Sequence, residues 1–367
     1  MIPVFSPYIS ISDYLSVFLA MRKTYISGTS PIVREFEDKL AKKFDRKYAV
    51  ALSNGSNALD IALQSLDLSK DDEVAIPSFT IISCLSAVIR TGAKPVFYDV
   101  NEKSWNASLE DIERCITKKT KALILVHLYG NVAKINEIKQ ICKKHKIYLI
   151  EDCAESIGAK VGKKYVGTFG DVATFSFYSN KTITAGEGGM LWTNSKKKFE
   201  IIENYKNLFF GKRERFDHND IGFNYRMTDL QSALAFSQFK KFEINLKKIN
   251  KVAKTYKKYL NLDNIKFQQN NKCKSVWWMI AFVIKSKAKS KKLMNYLKKH
   301  KIDTRNLFKP INEMKFYKKG EKKINSRYLY DYGLYIPSGY DLTEKKIKYI
   351  SKKINYFFDR NAKKDSK

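Results

Sequence analysis

No stretch of the 367-residue chain is apolar over the roughly 18 residues that a membrane-spanning helix needs. Its opening, Met1 to Ser10, is mildly apolar. It lacks the charged start, long apolar core and small-residue cleavage site of a secretory signal. These absences predict a soluble, cytoplasmic protein with no membrane insertion. Cysteine is sparse. Cys84, Cys115, Cys142, Cys153 and Cys273 are odd in number and widely spaced, with no C-x-x-C pair and no Cys/His cluster. That excludes the usual signature of a zinc site and predicts reduced, mostly buried thiols. No metal is expected. No internal repeat, long basic tract or nucleic-acid motif is visible.

What is there is a globular composition, 44% hydrophobic and 13% aromatic. At this length it can supply one large domain with a real core and a smaller second one. Charge is the outlying property, with a formal net value of +32. Such a field favours anionic partners: nucleic acid, a membrane surface or a phosphorylated substrate. The lysines come in small groups, however, such as Lys118-Lys119, Lys196-Lys197-Lys198 and Lys352-Lys353. This scatter reads as a solvated surface, so nucleic acid is not the expected partner. A phosphate-rich substrate would still gain from the field.

Periodicity predicts the architecture. Pro31 stands at a helix start, and Ile32, Phe36, Leu40 and Phe44 recur at a spacing of four, which predicts a helix over 31–44. Short β-rich runs follow at Val74–Ile76, Pro95–Val100, Ala122–Val126, Ile147–Ile150, Val172–Phe177 and Met190–Thr193. Helical segments lie between them, one marked by Ile135, Ile138 and Cys142. The alternation predicts an α/β fold with a mostly parallel sheet covered on both faces. From Thr228 the pattern changes. Leu230 to Leu260 fits one long helix or two joined ones, followed by a β-rich run at Trp277–Ile284 and two lysine-rich helices. We expect a large domain over 1–240, a small α/β domain over 241–360 and a frayed tail over 361–367.

Three segments carry chemistry. Ser53-Asn54-Gly55-Ser56-Asn57 opens a helical run, Ala58–Leu66. A helix N-terminus offers free N–H groups and partial positive charge, Gly55 admits close approach, and Ser56 and Asn57 add donors. The segment is a phosphate cradle or an ordinary cap. The run Ile147–Ile150 ends in Glu151-Asp152, with Glu155 shortly after. At the C-terminal end of a parallel strand a carboxylate can meet a protonated ring nitrogen, or it can cap the next helix. In Phe175–Gly189, Lys181 leaves a strand for a turn of glycines and small residues. A lysine that forms an imine needs that room and a lowered pKa; the ordinary alternative is a solvated lysine. His127, ending an apolar strand, reads as a hydrogen-bonded core residue rather than a catalyst.

Cradle, strand-end acid and lysine, in that order, are the parts of a pyridoxal 5′-phosphate (PLP) site. Residues 1–360 resemble the DegT-type sugar-nucleotide aminotransferases. The resemblance rests on Glu151-Asp152-Cys153-Ala154-Glu155-Ser156-Ile157-Gly158, Phe175–Met190, Asn224-Tyr225-Arg226-Met227 and His127-Leu128-Tyr129-Gly130. The first two stretches are similar to the GDP-perosamine synthase subgroup. The resemblance implies the type I, aspartate-aminotransferase-like PLP fold. It makes Lys181 the catalytic residue, which binds the cofactor and shuttles protons. Asp152 would pair with the ring nitrogen and Glu155 would lie near the ring hydroxyl. Gly55, Ser56, Asn57 and Ser176 would hold the phosphate, with Asn224 reaching it from the other subunit of a homodimer. His218 and Arg305 match positions near the substrate in relatives.

The implied reaction is a ping-pong transamination. L-Glutamate donates, and a nucleotide-linked 4-keto-6-deoxyhexose accepts, giving a 4-amino-4,6-dideoxy sugar for surface-glycan and O-antigen (lipopolysaccharide) synthesis. Three departures bear on the substrate. Ile81 stands where many relatives stack an aromatic on the ring, unless Phe79 compensates. Asn312 in Pro310-Ile311-Asn312 replaces a frequent histidine. Asn207–Gly211 departs from the usual glycine-containing loop. A dehydratase on the same fold would carry histidine at Lys181. Amination at C3 instead of C4, and a non-catalytic PLP- or nucleic-acid-binding regulator, remain the alternatives; the run Ser179–Thr184 leans towards C4.

Overall fold

The computed structural model describes residues 1–211, 214–270, 273–317 and 321–365, the side chains of 361–365 excepted. Strands β1 (Tyr48–Leu52), β2 (Glu73–Pro77), β3 (Lys94–Tyr98), β4 (Thr120–Val126) and β5 (Tyr148–Asp152) come first, then a small hairpin, β6 (Lys160–Val161) and β7 (Lys164–Tyr165). Strands β8 (Val172–Ser176) and β9 (Gly189–Thr193) complete a seven-stranded sheet in the order β1-β9-β8-β5-β4-β2-β3. Its β2–β3, β2–β4, β4–β5 and β5–β8 pairings are parallel, and β9 runs antiparallel to both β1 and β8. This is the mostly parallel sheet that the sequence predicts.

Helices α1 (Ile11–Arg22), α2 (Pro31–Lys43), α3 (Gly55–Gln64), α4 (Ser83–Arg90), α5 (Leu109–Cys115), α6 (Ile135–His145) and α7 (Lys196–Lys206) belong to this half. In α2 the Ser30 hydroxyl accepts the Ile32 N–H and Pro31 occupies the first turn, where no donor is missed. Phe36, Leu40 and Phe44 are fully buried, so the spacing of four became one packed face. Side chains along β4 alternate between two cores. Leu123 and Leu125 join the core that holds α2 and α6, while Ala122, Ile124 and Val126 join the one that holds α3 and α4. Each such leucine or isoleucine contributes about 1.5–3 kcal/mol by leaving water.

Past α8 (Asp229–Lys240) and α9 (Phe242–Tyr259), strands β10 (Ile265–Phe267), β11 (Ile280–Ile284), β12 (Arg305–Asn306) and β13 (Gly333–Ile336) form an antiparallel sheet in the order β10-β11-β13-β12. Helices α10 (Lys287–Lys299), α11 (Ile324–Tyr332) and α12 (Glu344–Asp365) accompany it. The change of core falls inside α9. Phe242 and Leu246 pack in the large sheet's core, whereas Ile249, Val252 and Tyr256 pack in the small one. The chain start, grouped by sequence with the large domain, pairs with the small one: Ile2 bridges Ile302, and the Val4 carbonyl accepts from Ser338 N–H. Helix α12 continues to Asp365; the rest of the tail expected to fray, Ser366 and Lys367, lies outside the described residues. The five cysteines are free thiols. Among the described residues no helix is long and apolar enough to cross a membrane.

Candidate active site

A cleft of about 630 Å³ opens where β4, β5 and β8 end. Gly55, Ser56, Asn57, Asp152, Glu155, Ser176 and Lys181 all line it. The strand alternation decides which of the two adjacent acids faces it. Ile150 packs towards α3 and α4, so Asp152, two residues on, takes the same side and Glu151 the opposite one.

The cradle is built at the start of α3. The Asn54 side chain accepts Asn57 N–H at 2.8 Å, which caps the helix and leaves the N–H groups around Gly55 and Ser56 facing the cleft. The Ser56 hydroxyl meets that of Ser83 at 2.7 Å, and Asn57 Nδ2 donates to the Ser53 hydroxyl at 2.7 Å. A Cβ on Gly55 would come within 2.9 Å of Ser176 Cβ, and one on Gly189 within 2.3 Å of the Asn54 carbonyl. Glycine at these two positions lets the cradle dock against the β8–β9 hairpin that carries the lysine.

Lys181 sits in that hairpin's connection, which is tied at both ends: Phe177 N–H donates to the Gly188 carbonyl and Ala185 N–H to the Phe177 carbonyl, each at 2.8 Å. Its side chain is only 9% exposed. Burial lowers its pKa, against the opposing pull of Glu155 and Asp152. Its Nζ lies 4.1 Å from the centre of the Trp278 ring. Burial raises the Asp152 pKa, only partly offset by the Ala154 N–H at 3.0 Å and by Lys181. Glu155 accepts Tyr129 N–H at 2.7 Å, and burial pushes its pKa up to about 7. A buried amine able to lose its proton therefore faces two buried acids.

The Glu155 shift has a stability consequence. Between its ordinary pKa and about 7, folded Glu155 holds a proton that the unfolded chain has released. Its contribution to stability is therefore present at acid pH and lost as pH rises through that window. Melting temperatures of the cofactor-free protein from pH 5 to 8 should fall less steeply for Glu155→Gln than for wild type; parallel slopes would contradict this.

Other expected residues lie elsewhere. Asn224 is exposed and outside the cleft lining, although its neighbour Tyr225 accepts Ser53 N–H at 2.8 Å beside the cradle. His218 is exposed, with Nδ1 2.6 Å from the Leu208 carbonyl, and Arg305 is exposed beside Asp303 at 3.1 Å; neither lines the cleft. His127 is fully buried on the far side of the sheet. Its Nδ1 accepts Ala133 N–H at 3.3 Å and its Nε2 meets Glu151 at 3.2 Å, the hydrogen-bonded core role. His127, Glu151 and Cys153 bring possible metal-binding atoms within 4.8 Å of one another. The Glu151 oxygens are already taken by His127 and the N–H groups of Gly167, Phe169 and Gly170.

The departures acquire reasons. Ile81 lines the cleft and is 45% exposed, whereas Phe79 is fully buried against Tyr129 and Phe308 and cannot compensate. Asn312 is buried; it accepts from the Ser78 hydroxyl at 2.5 Å and donates to the Glu321 carbonyl at 2.9 Å, so it clasps loops rather than facing the cleft. Leu208 and Phe209 hold φ of +60° and +50°, a conformation that glycine usually supplies, and the Phe209 ring packs 4.9 Å from Tyr205. Sequence reasoning missed the roof, Trp278, Phe308 and Tyr335. The tandem Trp277-Trp278 was a visible signal, but nothing in the chain said which ring turns inward.

The residues fit PLP. The Asn180 Oδ1 in the cleft lining is buried without a partner, and Asp152 is a buried carboxylate with no ion pair among the described residues, its burial only partly offset by Lys181 and His127. The comparisons with known proteins agree. Residues 16–355 match the model of the DegT/DnrJ/EryC1/StrS aminotransferase family. The chain is 36% identical to the GDP-perosamine synthase of Escherichia coli O157:H7, over 97% of this chain and 98% of that one. It is 32% identical to the GDP-perosamine synthase of Vibrio cholerae, over 98% and 100% of the two chains. The fold is similar to that of the Helicobacter pylori aminotransferase PseC, with a TM-score of 0.92 and 22% identity over 98% of this chain and 99% of that one. The chain belongs to the DegT/DnrJ/EryC1/StrS aminotransferase family, and the residues of its cleft fit that family's cofactor, PLP.

Proposed function

We propose that the protein transfers the amino group of L-glutamate to C4 of a nucleotide-linked 4-keto-6-deoxyhexose, with a GDP-linked sugar as the first substrate to test. The product is a 4-amino-4,6-dideoxy sugar nucleotide for surface-glycan synthesis. The observation that carries the reading is the buried Lys181 facing Asp152 and Glu155 over the α3 cradle. The similarity over nearly the full chain to two GDP-perosamine synthases supports the choice of C4.

PLP, when bound, supplies an electron sink for the carbon that loses its proton. The chain's own residues do the rest. Burial lowers the Lys181 pKa, which favours the neutral amine that attacks a carbonyl, and its Nζ would carry a proton between two carbons that flank one nitrogen. Asp152, placed at the end of β5, would hold a ring nitrogen in its protonated form, which adds a counter-charge to that of Lys181. The first turn of α3, with Ser56, Asn57 and Ser176, holds a phosphate. Trp278, Phe308 and Tyr335 give the cleft an aromatic wall beside Lys181.

Incubating the PLP-loaded protein with glutamate and GDP-4-keto-6-deoxymannose should yield 2-oxoglutarate and an aminated sugar nucleotide, seen by mass spectrometry. A glutamate half-reaction with no product from any 4-keto sugar nucleotide would sink the C4 assignment and move a C3 ketone to the front.

The reading includes a homodimer. Ile11, Tyr14, Leu15, Phe18 and Met21 of α1 are exposed apolar residues, which a partner would cover. With Asn224 placed outside its own cleft, it would act on the partner's phosphate. Co-expressing Lys181→Ala with Asn224→Ala tests this. Shared sites regenerate one intact site per mixed dimer, about a quarter of wild-type activity. No recovery above the sum of the parents would return Asn224 to its own chain.

A further inference from the structure

A second cleft, of about 680 Å³, lies at the opposite end of the sheet. Ile147 and Leu149 line it at the start of β5, whose other end carries Asp152, so roughly 15 Å of strand separates the two clefts. Its walls are basic. Lys139 and Lys143 come from α6, Lys146 from the left-handed cap of that helix, Lys198 from α7 and Arg46 from the approach to β1. No ion pair with a carboxylate joins any of the five, among the described residues. Asp171 is the one acid of the lining; it accepts Leu149 N–H at 2.9 Å through one oxygen and offsets part of the charge of Arg46 and Lys198, so four or more of the positive charges remain unbalanced within the lining.

Arg46 separates this cleft from a merely solvated basic surface. It is only 8% exposed, yet its guanidinium meets one acceptor, the Gly170 carbonyl at 3.0 Å from Nη2, and its Nε has none. A buried cation is costly unless an anion or a full set of acceptors meets it. The fold bears that cost at the wall of an open cleft with four more cations around it. The concave shape and small-molecule size argue for a compact ligand, since a polymer would need a basic stripe. The five cations come from α6, its cap, α7 and the approach to β1, and two linked phosphates offer them more oxygens and more charge than one.

We propose that this cleft binds a compact anion with two linked phosphates, separately from the cradle at the active site. The test is calorimetric titration of the PLP-loaded, full-length protein with inorganic pyrophosphate and with orthophosphate, at about 0.15 M salt to screen diffuse attraction. Pyrophosphate should bind more tightly than orthophosphate. Its affinity should fall about tenfold or more in a Lys143→Glu/Lys146→Glu variant, whose changed side chains are exposed and do not disturb the core. Lys345→Glu/Lys346→Glu, which changes the net charge equally on exposed α12, should keep the affinity. Equal losses in the two variants, unchanged affinity in the first, or equal binding of the two anions would overturn the proposal.

Discussion

Lys181→Ala is expected to abolish glutamate-driven amine transfer, by roughly 10³-fold or more, because it removes both the nucleophile and the proton carrier. The loss should not come from unfolding. Lys181 is 9% exposed and its charged form is penalised by burial, so the folded state gives up little when the amine goes. Wild type with PLP should show a visible absorption band that glutamate bleaches. The variant should still take up PLP through the α3 cradle and Asp152, but glutamate should not drive turnover. Lys181→Arg keeps a cation without the reactive amine and should be equally inactive. Bleaching that turns over in either variant would remove Lys181 from its role.

Asp152→Asn should lower turnover by roughly 10²–10³-fold while leaving the visible cofactor band in place. An amide can still accept the Ala154 N–H, which now meets Asp152 at 3.0 Å, so the loop after β5 keeps its geometry. What it cannot supply is a negative charge to hold a ring nitrogen protonated. Burial raises the Asp152 pKa, which means that the folded protein pays for this carboxylate. The cofactor-free variant should therefore melt at or above the wild-type temperature. A catalytic loss joined to a higher melting temperature would separate a functional carboxylate from a structural one. A variant that melts well below wild type would show that Asp152 mainly supports the sheet.

Much of this was written in the linear pattern. Most strands of the large sheet and the helix opened by Pro31 follow from periods of two and nearly four, which are local properties; the same pattern left 229–259 as one long helix or two joined ones, and the fold has two. The order of cradle, acid and lysine was also legible, because each needs a particular residue type at a particular kind of element end.

The tertiary structure decided what depends on residues distant in the chain. Glu151 and Asp152 are neighbours in sequence, but only the packing of Ile150 against α3 and α4 shows that Asp152 faces the cleft while Glu151 clasps the loop at 167–170. Lys181 stood out in sequence only by its place before a glycine-rich turn; the fold shows it buried beside Trp278, nearly a hundred residues away. Asn312 departed from a pattern, and its contact with Ser78 gave the departure a structural role. Arg46 gave no signal at all, since a buried cation with no close ion pair is defined by what surrounds it. Periodicity and end chemistry are fixed by neighbours along the chain, whereas burial and charge balance are fixed by neighbours in space; the sequence alone determined the first, and the packed fold decided the second.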